Sequence, residues 1–324
     1  MRAAYYEKNG PARDVLSLGE VDTPKPGPGE VRVRLRTSGV NPSDVKSREG
    51  RTRKIAFPRV IPHSDGAGDI DAVGQGVPQS RVGERVWTWN GQWKRAFGTC
   101  AEYIVLPASL AVKLPDQVSY EAGACLGIPA MTAYHAVAET GSAKTILVSG
   151  GAGGVGHYAV QFAKTRGATV ITTVSSDAKA KLARSAGADH TIDYKRENVG
   201  ERVMAITNKA GVDAVVEMDF SGNAKLMPSI LHPRGKIVVY GNASAEATIP
   251  TQFFLTNAIT IQYIFVYELT QAERDAAVGA INRMLEAKTL LNNVALTLPL
   301  KDIVAAHETV EQGKALGNVV VAMS

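Results

Sequence analysis

The alternation of apolar and polar residues changes near Leu126, and this change predicts two kinds of structure. Before this point, short alternating runs such as residues 30–36 and 103–107 are separated by segments rich in proline and glycine. An alternation with a period of two predicts strands that are buried on one face. The first part of the chain is therefore predicted to form an antiparallel, barrel-like β domain.

After Leu126, apolar β-branched runs alternate with segments of helical periodicity. This rhythm predicts a parallel, doubly wound sheet, so the fold class is α/β. A helix is predicted at residues 271–287. The strands are predicted at residues 145–149, 169–174, 190–193, 214–217, 236–240 and 259–265.

The last two apolar runs, 294–298 and 318–322, predict two further strands. We expect these strands to return to the first domain. Residues 1–120 and 288–324 then form one domain, and residues 121–287 form the other. The chain has 324 residues, which is enough for about two domains.

A glycine-rich turn follows the apolar run 145–149 and opens directly into a helix-periodic segment. Glycines in such a turn let the chain turn tightly, approach a pyrophosphate and pack helix against strand. The first turn of the helix directs unpaired N–H groups at the anion. The predicted dinucleotide site is formed by Gly151, Ala152, Gly153, Gly154, Val155 and Gly156.

The residues after the run 169–174 indicate which dinucleotide is bound. An NAD site usually has an acidic residue there, whereas this chain has Ser175, Ser176 and then Lys179. Two hydroxyls and a lysine fit a 2′-phosphate, so NADPH is the predicted cofactor. Asp177 leaves an alternative open, because it is either the ribose-binding carboxylate or an acidic residue in the first turn of a helix.

Positive charge is concentrated in one segment of the chain. Lys and Arg number 36 and Asp and Glu number 31, which gives a net charge of +5. Two interpretations of the segment remain open: a solvated loop, or a surface that attracts an anionic cofactor or substrate. Its cations are Lys46, Arg48, Arg51, Arg53, Lys54 and Arg59.

No run approaches the roughly 18 consecutive apolar residues that span a bilayer, and the N-terminus lacks the apolar region of a signal peptide. We therefore expect a cytoplasmic protein without a membrane partner. Cys100 and Cys125 are too few for a disulfide framework, and we interpret them as reduced, buried and not catalytic.

Seven segments in order resemble the zinc-independent quinone oxidoreductases (zeta-crystallin-like) of the medium-chain dehydrogenase/reductase superfamily. The resemblance implies a GroES-like β-barrel domain, an inserted Rossmann domain, NADPH in a cleft and a homodimer joined through the last Rossmann strand. The segments are GVNPSD (39–44), IPHSDGAG (61–68), AEY (101–103), AMTAY (130–134), SGGAGGVG (149–156), GADH (187–190, with Tyr194) and GKIVVYGN (235–242).

The same resemblance implies roles for particular residues. Asn41 would meet the nicotinamide or a substrate oxygen, and Asp44 and Thr132 are the other candidate catalytic residues. Lys179 would hold the 2′-phosphate together with Tyr194. The remaining candidate cofactor-binding residues are Gly241 and Asn242 on the nicotinamide and ribose side, Phe265 near the carboxamide, and Asn318.

The chain lacks the ligands that zinc-dependent relatives use. Those relatives place a cysteine where Asn41 stands and a His-Glu pair where Ser64 and Asp65 stand. Cys100 is alone where a structural zinc lobe needs four cysteines. No metal is therefore expected. The resemblance implies an enzyme that transfers hydride from NADPH to a quinone or related conjugated carbonyl, which accepts hydride without a Lewis acid.

Two departures from the family leave the substrate open. The aromatic residue often found after Asp44 is missing, and His63 replaces a small residue, which we expect to narrow or polarise the mouth of the cleft. One alternative is an enoyl or alkenal reductase on the same fold. Another is an NADPH-binding protein with an RNA-binding or structural role. The sequence contains no recognisable RNA-binding motif, so nucleic acid is not expected as a primary partner.

Overall fold

The computed structural model describes residues 1–323, and the described chain divides into two compact units. Met1–Pro129 and the described residues from Val278 onward form the discontinuous unit. Ala130–Ala277 forms the central unit. Residues 121–129 and 278–287, which the sequence analysis assigns to the second domain, thus belong to the discontinuous unit. Hydrogen bonds from Trp87 to Asn282 and from Gln117 to the Leu285 carbonyl hold the end of the 278–287 segment there.

The strands are β1 (Arg2–Tyr5), β2 (Ser17–Glu20), β3 (Glu30–Val40), β4 (Asp65–Val73), β5 (Arg85–Thr88), β6 (Tyr103–Pro107), β7 (Ala111–Lys113), β8 (Thr145–Val148), β9 (Thr169–Val174), β10 (His190–Asp193), β11 (Val212–Glu217), β12 (Leu231–Val239), β13 (Thr260–Tyr263), β14 (Val294–Pro299) and β15 (Asn318–Ala322). The α-helices are α1 (Ala12–Val15), α2 (Pro42–Glu49), α3 (Tyr120–Gly123), α4 (Met131–Ala138), α5 (Gly154–Thr165), α6 (Asp177–Ser185), α7 (Val199–Ile206), α8 (Phe220–Asn223), α9 (Thr251–Thr256), α10 (Gln271–Glu286) and α11 (Ile303–Glu311).

The discontinuous unit is built on a seven-stranded sheet in the order β14-β15-β3-β4-β5-β7, with β6 paired to β3. The pairs are antiparallel except for β14 and β15. Along β3, Val31, Val33 and Leu35 are buried, whereas the arginines between them are not. This alternation is the one that predicted a strand at residues 30–36. Because β15 pairs with β3, the end of the chain completes the sheet that its beginning starts.

The central unit contains a parallel six-stranded sheet in the order β10-β9-β8-β11-β12-β13. All six predicted strands are confirmed, and the order reverses between β8 and β11, where such sheets bind ligands beyond their carboxyl ends. Strand β12 begins at Leu231, earlier than predicted. Its first part, from His232 to Arg234, is exposed and polar, so no apolar pattern indicated a strand there.

The interpretation of the cationic segment as a loop is wrong at its start. Lys46 and Arg48 lie on α2, which begins after Asn41 with proline in its first turn and ends at Gly50, where φ is +80°. Both cysteines are free and buried, as expected. Among residues 1–323, no helix is long and apolar enough to cross a membrane.

Candidate functional site

The glycine-rich turn lies between β8 and α5 and packs tightly against itself. A Cβ atom at Gly156 would lie 2.2 Å from the carbonyl oxygen of Gly150, so helix α5 starts too close to the turn for any side chain there. Gly150 has a φ of +69°, which favours glycine. At Gly153, by contrast, the nearest atom to an added Cβ is 3.3 Å away. Steric contact therefore requires glycine at position 156 much more strictly than at position 153.

Two threonines of β9 hold the turn in place. The hydroxyl of Thr172 accepts a hydrogen bond of 2.8 Å from the Gly151 amide and donates one of 2.6 Å to the Val148 carbonyl. The hydroxyl of Thr173 accepts from the Gly150 amide at 3.0 Å. The sequence analysis did not identify either threonine as part of the site, because β-branched residues in a strand indicate only packing.

The predicted phosphate-binding residues occupy this turn and the start of α5. Gly153 is exposed and Gly154 and Val155 are half-buried, while Gly151, Ala152 and Gly156 form the buried floor. First-turn amides of a helix have no acceptor within the helix, and the helix dipole is positive at that end. The turn thus offers a concave backbone surface that an added side chain would fill. Such a surface fits a pyrophosphate.

Ser175 and Ser176 follow β9, and Tyr194 follows the neighbouring strand β10 at the same carboxyl edge. Ser176 caps α6 by accepting from the Lys179 amide at 3.3 Å. The Lys179 side chain is half-buried, and among the described residues its ammonium group has no partner. Tyr194 is 54% exposed, so its ring is available to a ligand.

The structure places Asp177 on a helix, next to a basic side chain. Its carboxylate is 3.2 Å from Nη1 of Arg196, and 87% of its side chain is exposed. Asp177 is the first residue of α6, so it is a first-turn helix acid held in an ion pair.

The other predicted cofactor residues of the central unit have different surroundings. Gly241 follows β12, and a Cβ there would lie 2.3 Å from the Met218 carbonyl oxygen. Asn242 is half-buried next to it, and Phe265 follows β13 with 53% of its surface exposed. Thr132 is buried on the first turn of α4.

A buried carboxylate at the same sheet edge was missed by the sequence analysis. Glu217 ends β11, and its Oε2 accepts a hydrogen bond of 2.7 Å from Ser149 at the end of β8. Its Oε1 accepts from the Asp219 amide and from the side chain of Asn223. Glu217 thus ties together the two strands between which the order of the sheet reverses.

In the discontinuous unit, Asn41 lies between two buried carboxyl groups. Its backbone amide donates to Asp44 Oδ2 at 2.8 Å, and its side-chain Nδ2 donates to Asp65 Oδ2 at 2.7 Å. Burial raises the pKa of Asp44 to about 7, although the hydrogen bond from Asn41 opposes the shift. Burial, together with the nearby charge of Asp44, raises the pKa of Asp65 well above its usual value. Burial therefore favours the protonated form of Asp65 over the carboxylate, compared with an aspartate in solvent.

The expectation that His63 shapes the mouth of a cleft is wrong, because this side chain is completely buried. Its Nδ1 is 2.8 Å from the Ser38 hydroxyl and its Nε2 is 2.9 Å from Nε2 of His307. Ser38 in turn contacts Thr99, whose hydroxyl donates to the carbonyl of Asp65. His63 therefore belongs to a chain of hydrogen-bonded polar groups that ends at the backbone carbonyl of Asp65, the residue whose side chain binds Asn41.

Several cations of the 46–59 segment already have carboxylate partners. Arg48 is fully buried and bonds to Glu311, so this residue cannot attract a ligand from solution. Arg51 pairs with Glu49, and Arg59 pairs with Glu7. The interpretation of the whole segment as one ligand-attracting surface is wrong for Arg48.

Comparison with known proteins identifies the chain. Residues 27–116 match the alcohol dehydrogenase GroES-like domain, and residues 154–283 match the zinc-binding dehydrogenase family. A quinone oxidoreductase of Pseudomonas aeruginosa is 36% identical over 87% of this chain and 88% of its own. The chain belongs to the quinone oxidoreductase family of the medium-chain dehydrogenases/reductases.

Another member of the superfamily, a 2-haloacrylate reductase of a Burkholderia species, is 32% identical over 99% of this chain and 98% of its own. The fold matches that of an Escherichia coli quinone oxidoreductase solved with NADPH, with a TM-score of 0.89, 27% identity and coverage of 99% and 100%. The predicted GroES-like and Rossmann architecture of this quinone oxidoreductase family member is thereby confirmed.

One group of three or more potential metal ligands occurs among residues 1–323 of this family member. His135, Glu139 and Glu273 offer ligand atoms within 4.8 Å of one another. An ammonium group already lies at this cluster, because Lys236 Nζ is 3.6 Å from a carboxylate oxygen of Glu139. His135 lies on α4, Glu139 follows the end of α4 and Glu273 lies on α10, so the group includes neither Asn41 nor its neighbours.

Asn318 begins β15 and is buried. Its backbone amide and its Nδ2 both donate to the carbonyl of Asn293, at 2.9 Å and 3.1 Å. Part of the hydrogen-bonding capacity of this predicted cofactor residue is thus used to join two segments of the family member's discontinuous unit.

Proposed function

We propose that this protein is an NADPH-dependent oxidoreductase that transfers hydride to quinones or to related conjugated carbonyl acceptors. The observation that carries the proposal is the close packing of Gly156 against the Gly150 carbonyl, which only glycine allows and which is typical of a turn that binds a pyrophosphate. NADPH supplies the hydride when it is bound. The residues of the chain bind the dinucleotide, orient it and hold the acceptor beside it.

Each predicted site residue has a distinct part in this proposal. Lys179 and Tyr194, with Ser175 and Ser176, would hold the 2′-phosphate. Asn41 would offer the remaining hydrogen-bonding capacity of its amide to the nicotinamide or to an acceptor oxygen. Asp44, whose pKa is about 7, can release or take up a proton at neutral pH. Thr132 is the third candidate catalytic residue, and the remaining candidates of the cofactor site are Gly241, Asn242, Phe265 and Asn318.

A matched pair of glycine substitutions tests the dinucleotide site. Gly156→Ala would force a Cβ to within 2.2 Å of a backbone oxygen, whereas Gly153→Ala meets nothing closer than 3.3 Å. We expect Gly156→Ala to weaken NADPH binding, measured by nucleotide fluorescence, by at least tenfold. Gly153→Ala should keep binding within about threefold, since the clash is absent. Equal losses would contradict this assignment of the cradle.

We also propose that hydride transfer does not use zinc. The groups that stand at the zinc-ligand positions of metal-dependent relatives are an amide, a buried hydroxyl and a buried acid whose pKa is raised well above its usual value. Zinc prefers thiolate, imidazole and ionised carboxylate ligands, so this donor set is a poor one. Elemental analysis should find no stoichiometric zinc, and a chelator should leave the rate unchanged.

The second candidate function is reduction of an activated alkene, and the 32% identity to a 2-haloacrylate reductase favours it. A panel containing a 1,2-quinone, a 1,4-quinone, an α,β-unsaturated aldehyde and a 2-haloacrylate separates the two candidates by kcat/KM. If the protein binds NADPH but reduces none of these acceptors, a binding protein with a structural or RNA-related role becomes the better proposal.

We further propose a homodimer that acts in the cytoplasm, where NADPH is available. Strand β13 is at the edge of the parallel sheet, so one row of its backbone groups can pair with another strand. Tyr263, the last residue of this strand, is 57% exposed, and Leu255 on the preceding helix α9 is 75% exposed. Replacing both with glutamate should convert a dimer into a monomer in analytical ultracentrifugation.

A further inference from the structure

The guanidinium group of Arg53 is held by neutral partners on three sides. Its Nε donates to the Ser47 hydroxyl at 3.0 Å, and its Nη2 donates to Oε1 of Gln92. Its central carbon lies 5.2 Å from the centroid of the Trp93 ring. The group is half-buried and fixed in orientation, unlike a solvated surface arginine.

Arg53 also differs from the neighbouring arginines in having no ion pair with a carboxylate. Arg48, Arg51 and Arg59 each pair with a glutamate, but no carboxylate within residues 1–323 comes within 4.0 Å of Arg53. No described residue hydrogen-bonds to its Nη1. A positioned guanidinium with one free edge can accept a carboxylate in a bidentate arrangement.

The position of Arg53 connects it with the candidate catalytic residues. Ser47, its hydrogen-bond partner, lies three residues after Asp44 on α2 and therefore on the same side of that helix. Burial raises the pKa of Asp44, and the positive charge of Arg53 is among the groups that oppose the shift. Arg53 is thus close enough to act on the carboxyl group that neighbours Asn41.

We propose that Arg53 binds the carboxylate of an α,β-unsaturated acid and makes such acids the preferred acceptors of this enzyme. This inference rests on the proposed function and names its substrate class. The free edge of the guanidinium fixes the carboxylate, and Ser47, Gln92 and Trp93 keep the guanidinium in place.

The reaction gives Arg53 a role beyond binding. The β-carbon of a 2-haloacrylate receives a hydride supplied by NADPH, the electrons of the C=C bond move to the α-carbon, and that carbon receives a proton from water. The products are NADP⁺ and the saturated 2-halo acid. Before protonation, the carboxylate and the new carbanion share two negative charges, so a nearby cation stabilises the transition state more than the ground state.

A matched pair of acceptors tests the proposal in the full-length protein. We expect wild-type protein to reduce 2-chloroacrylate with a higher kcat/KM than 2-chloroacrylamide, which has no charge. Arg53→Met keeps the apolar stem over Trp93 and should lower kcat/KM for the acid at least tenfold and for the amide less than threefold. Arg53→Lys keeps the charge but loses the planar guanidinium, so its kcat/KM for the acid should lie between the values of wild type and of Arg53→Met.

Arg51→Met is the control, because Arg51 is exposed and already paired with Glu49. This substitution should leave kcat/KM unchanged for both the acid and the amide. Equal losses on acid and amide in Arg53→Met would overturn the proposal and make Arg53 a structural residue. Reduction of a quinone by wild type, with no preference for the acid, would overturn it while leaving the proposed function intact. Failure to reduce any acceptor would instead contradict the proposed function.

Binding without turnover provides a second measurement. The saturated product 2-chloropropionate should perturb the tryptophan fluorescence of wild-type protein through Trp93, and Arg53→Met should weaken its binding in this titration at least tenfold. Arg51→Met should titrate like wild type. A titration that is the same in Arg53→Met as in wild type would place the carboxylate elsewhere and overturn the proposal.

Discussion

The side-chain amide of Asn41 donates a hydrogen bond of 2.7 Å to Oδ2 of Asp65, and both residues are buried. The other carboxyl oxygen, Oδ1, has no hydrogen-bond partner within residues 1–323. Burial and the charge of Asp44 raise the pKa of Asp65, although hydrogen bonds from Asn41 and from the Ile128 backbone oppose the shift. Asp65 therefore orients Asn41, and its burial favours the protonated form.

This relationship predicts opposite results for two substitutions of Asp65. Asp65→Asn has the shape of the neutral acid and keeps an acceptor for Asn41, so kcat/KM should stay within about threefold of wild type. Asp65→Leu leaves the Asn41 amide without its partner, at a cost of about 1–3 kcal/mol, and should lower kcat/KM at least tenfold. Similar losses in both variants would show that Asp65 is needed as an anion or as a proton donor.

The pH dependence of stability gives an independent check of Asp65. Because its folded-state pKa is raised, the folded protein holds a proton that the unfolded chain releases above pH 3.8. This group therefore lowers stability as pH rises, by up to about 1.4 kcal/mol per pH unit below its folded-state pKa. In urea unfolding, Asp65→Asn should become more stable relative to wild type as pH increases. Parallel curves would contradict the shift.

Lys179 carries the prediction on cofactor choice. A charged contact with a 2′-phosphate contributes about 1–3 kcal/mol, so Lys179→Ala should weaken NADPH binding about tenfold or more and leave NADH nearly unchanged. Lys181→Ala is the control, because Lys181 is exposed on the same helix. If the wild-type protein binds NADPH and NADH with equal affinity, Lys179 does not bind the 2′-phosphate.

The parts of this molecule that were predictable from the sequence have local causes. The β-branched run that forms β9 and the glycines before α5 follow from backbone preferences and from period-two burial, which neighbouring residues determine. For the same reason, the exposed start of β12 was missed. Only Leu231 pairs with β11 there, the register shifts before Lys236, and the residues between them have no apolar pattern.

The polar interior was not predictable because its contacts join distant residues. Arg48 lies in a run of cations that is typical of a surface, and its burial depends on Glu311, 263 residues away in the chain. His63 meets His307 at a separation of 244 residues. Arg53 differs from the arginines around it only through partners that the fold brings to it. Sequence motifs therefore located the nucleotide site, whereas the groups beside Asn41 could be identified only from the structure.

The buried histidine pair predicts a loss of stability in mild acid. Burial lowers the pKa of His63 to about 3, and burial together with the charges of His63 and Arg48 lowers the pKa of His307 well below its usual value. Both rings are therefore neutral in the folded protein, while in the unfolded chain each takes up a proton below about pH 6.5. Stability conferred by a neutral ring is present above pH 6.5 and declines as pH falls toward 3.

Between pH 7 and pH 5, this difference amounts to about 2 kcal/mol for His63, and the lowered pKa of His307 adds a contribution of the same sign. Glutamine does not titrate and keeps a hydrogen-bonding amide, so His307→Gln should remove one histidine's share of the pH dependence. We expect the free energy of unfolding in urea to fall less steeply between pH 7 and pH 5 in this variant than in wild type. His190→Gln is the control, because His190 is exposed and should leave the slope unchanged. If the His307→Gln and wild-type curves are parallel, the buried pair does not stay neutral in the folded protein.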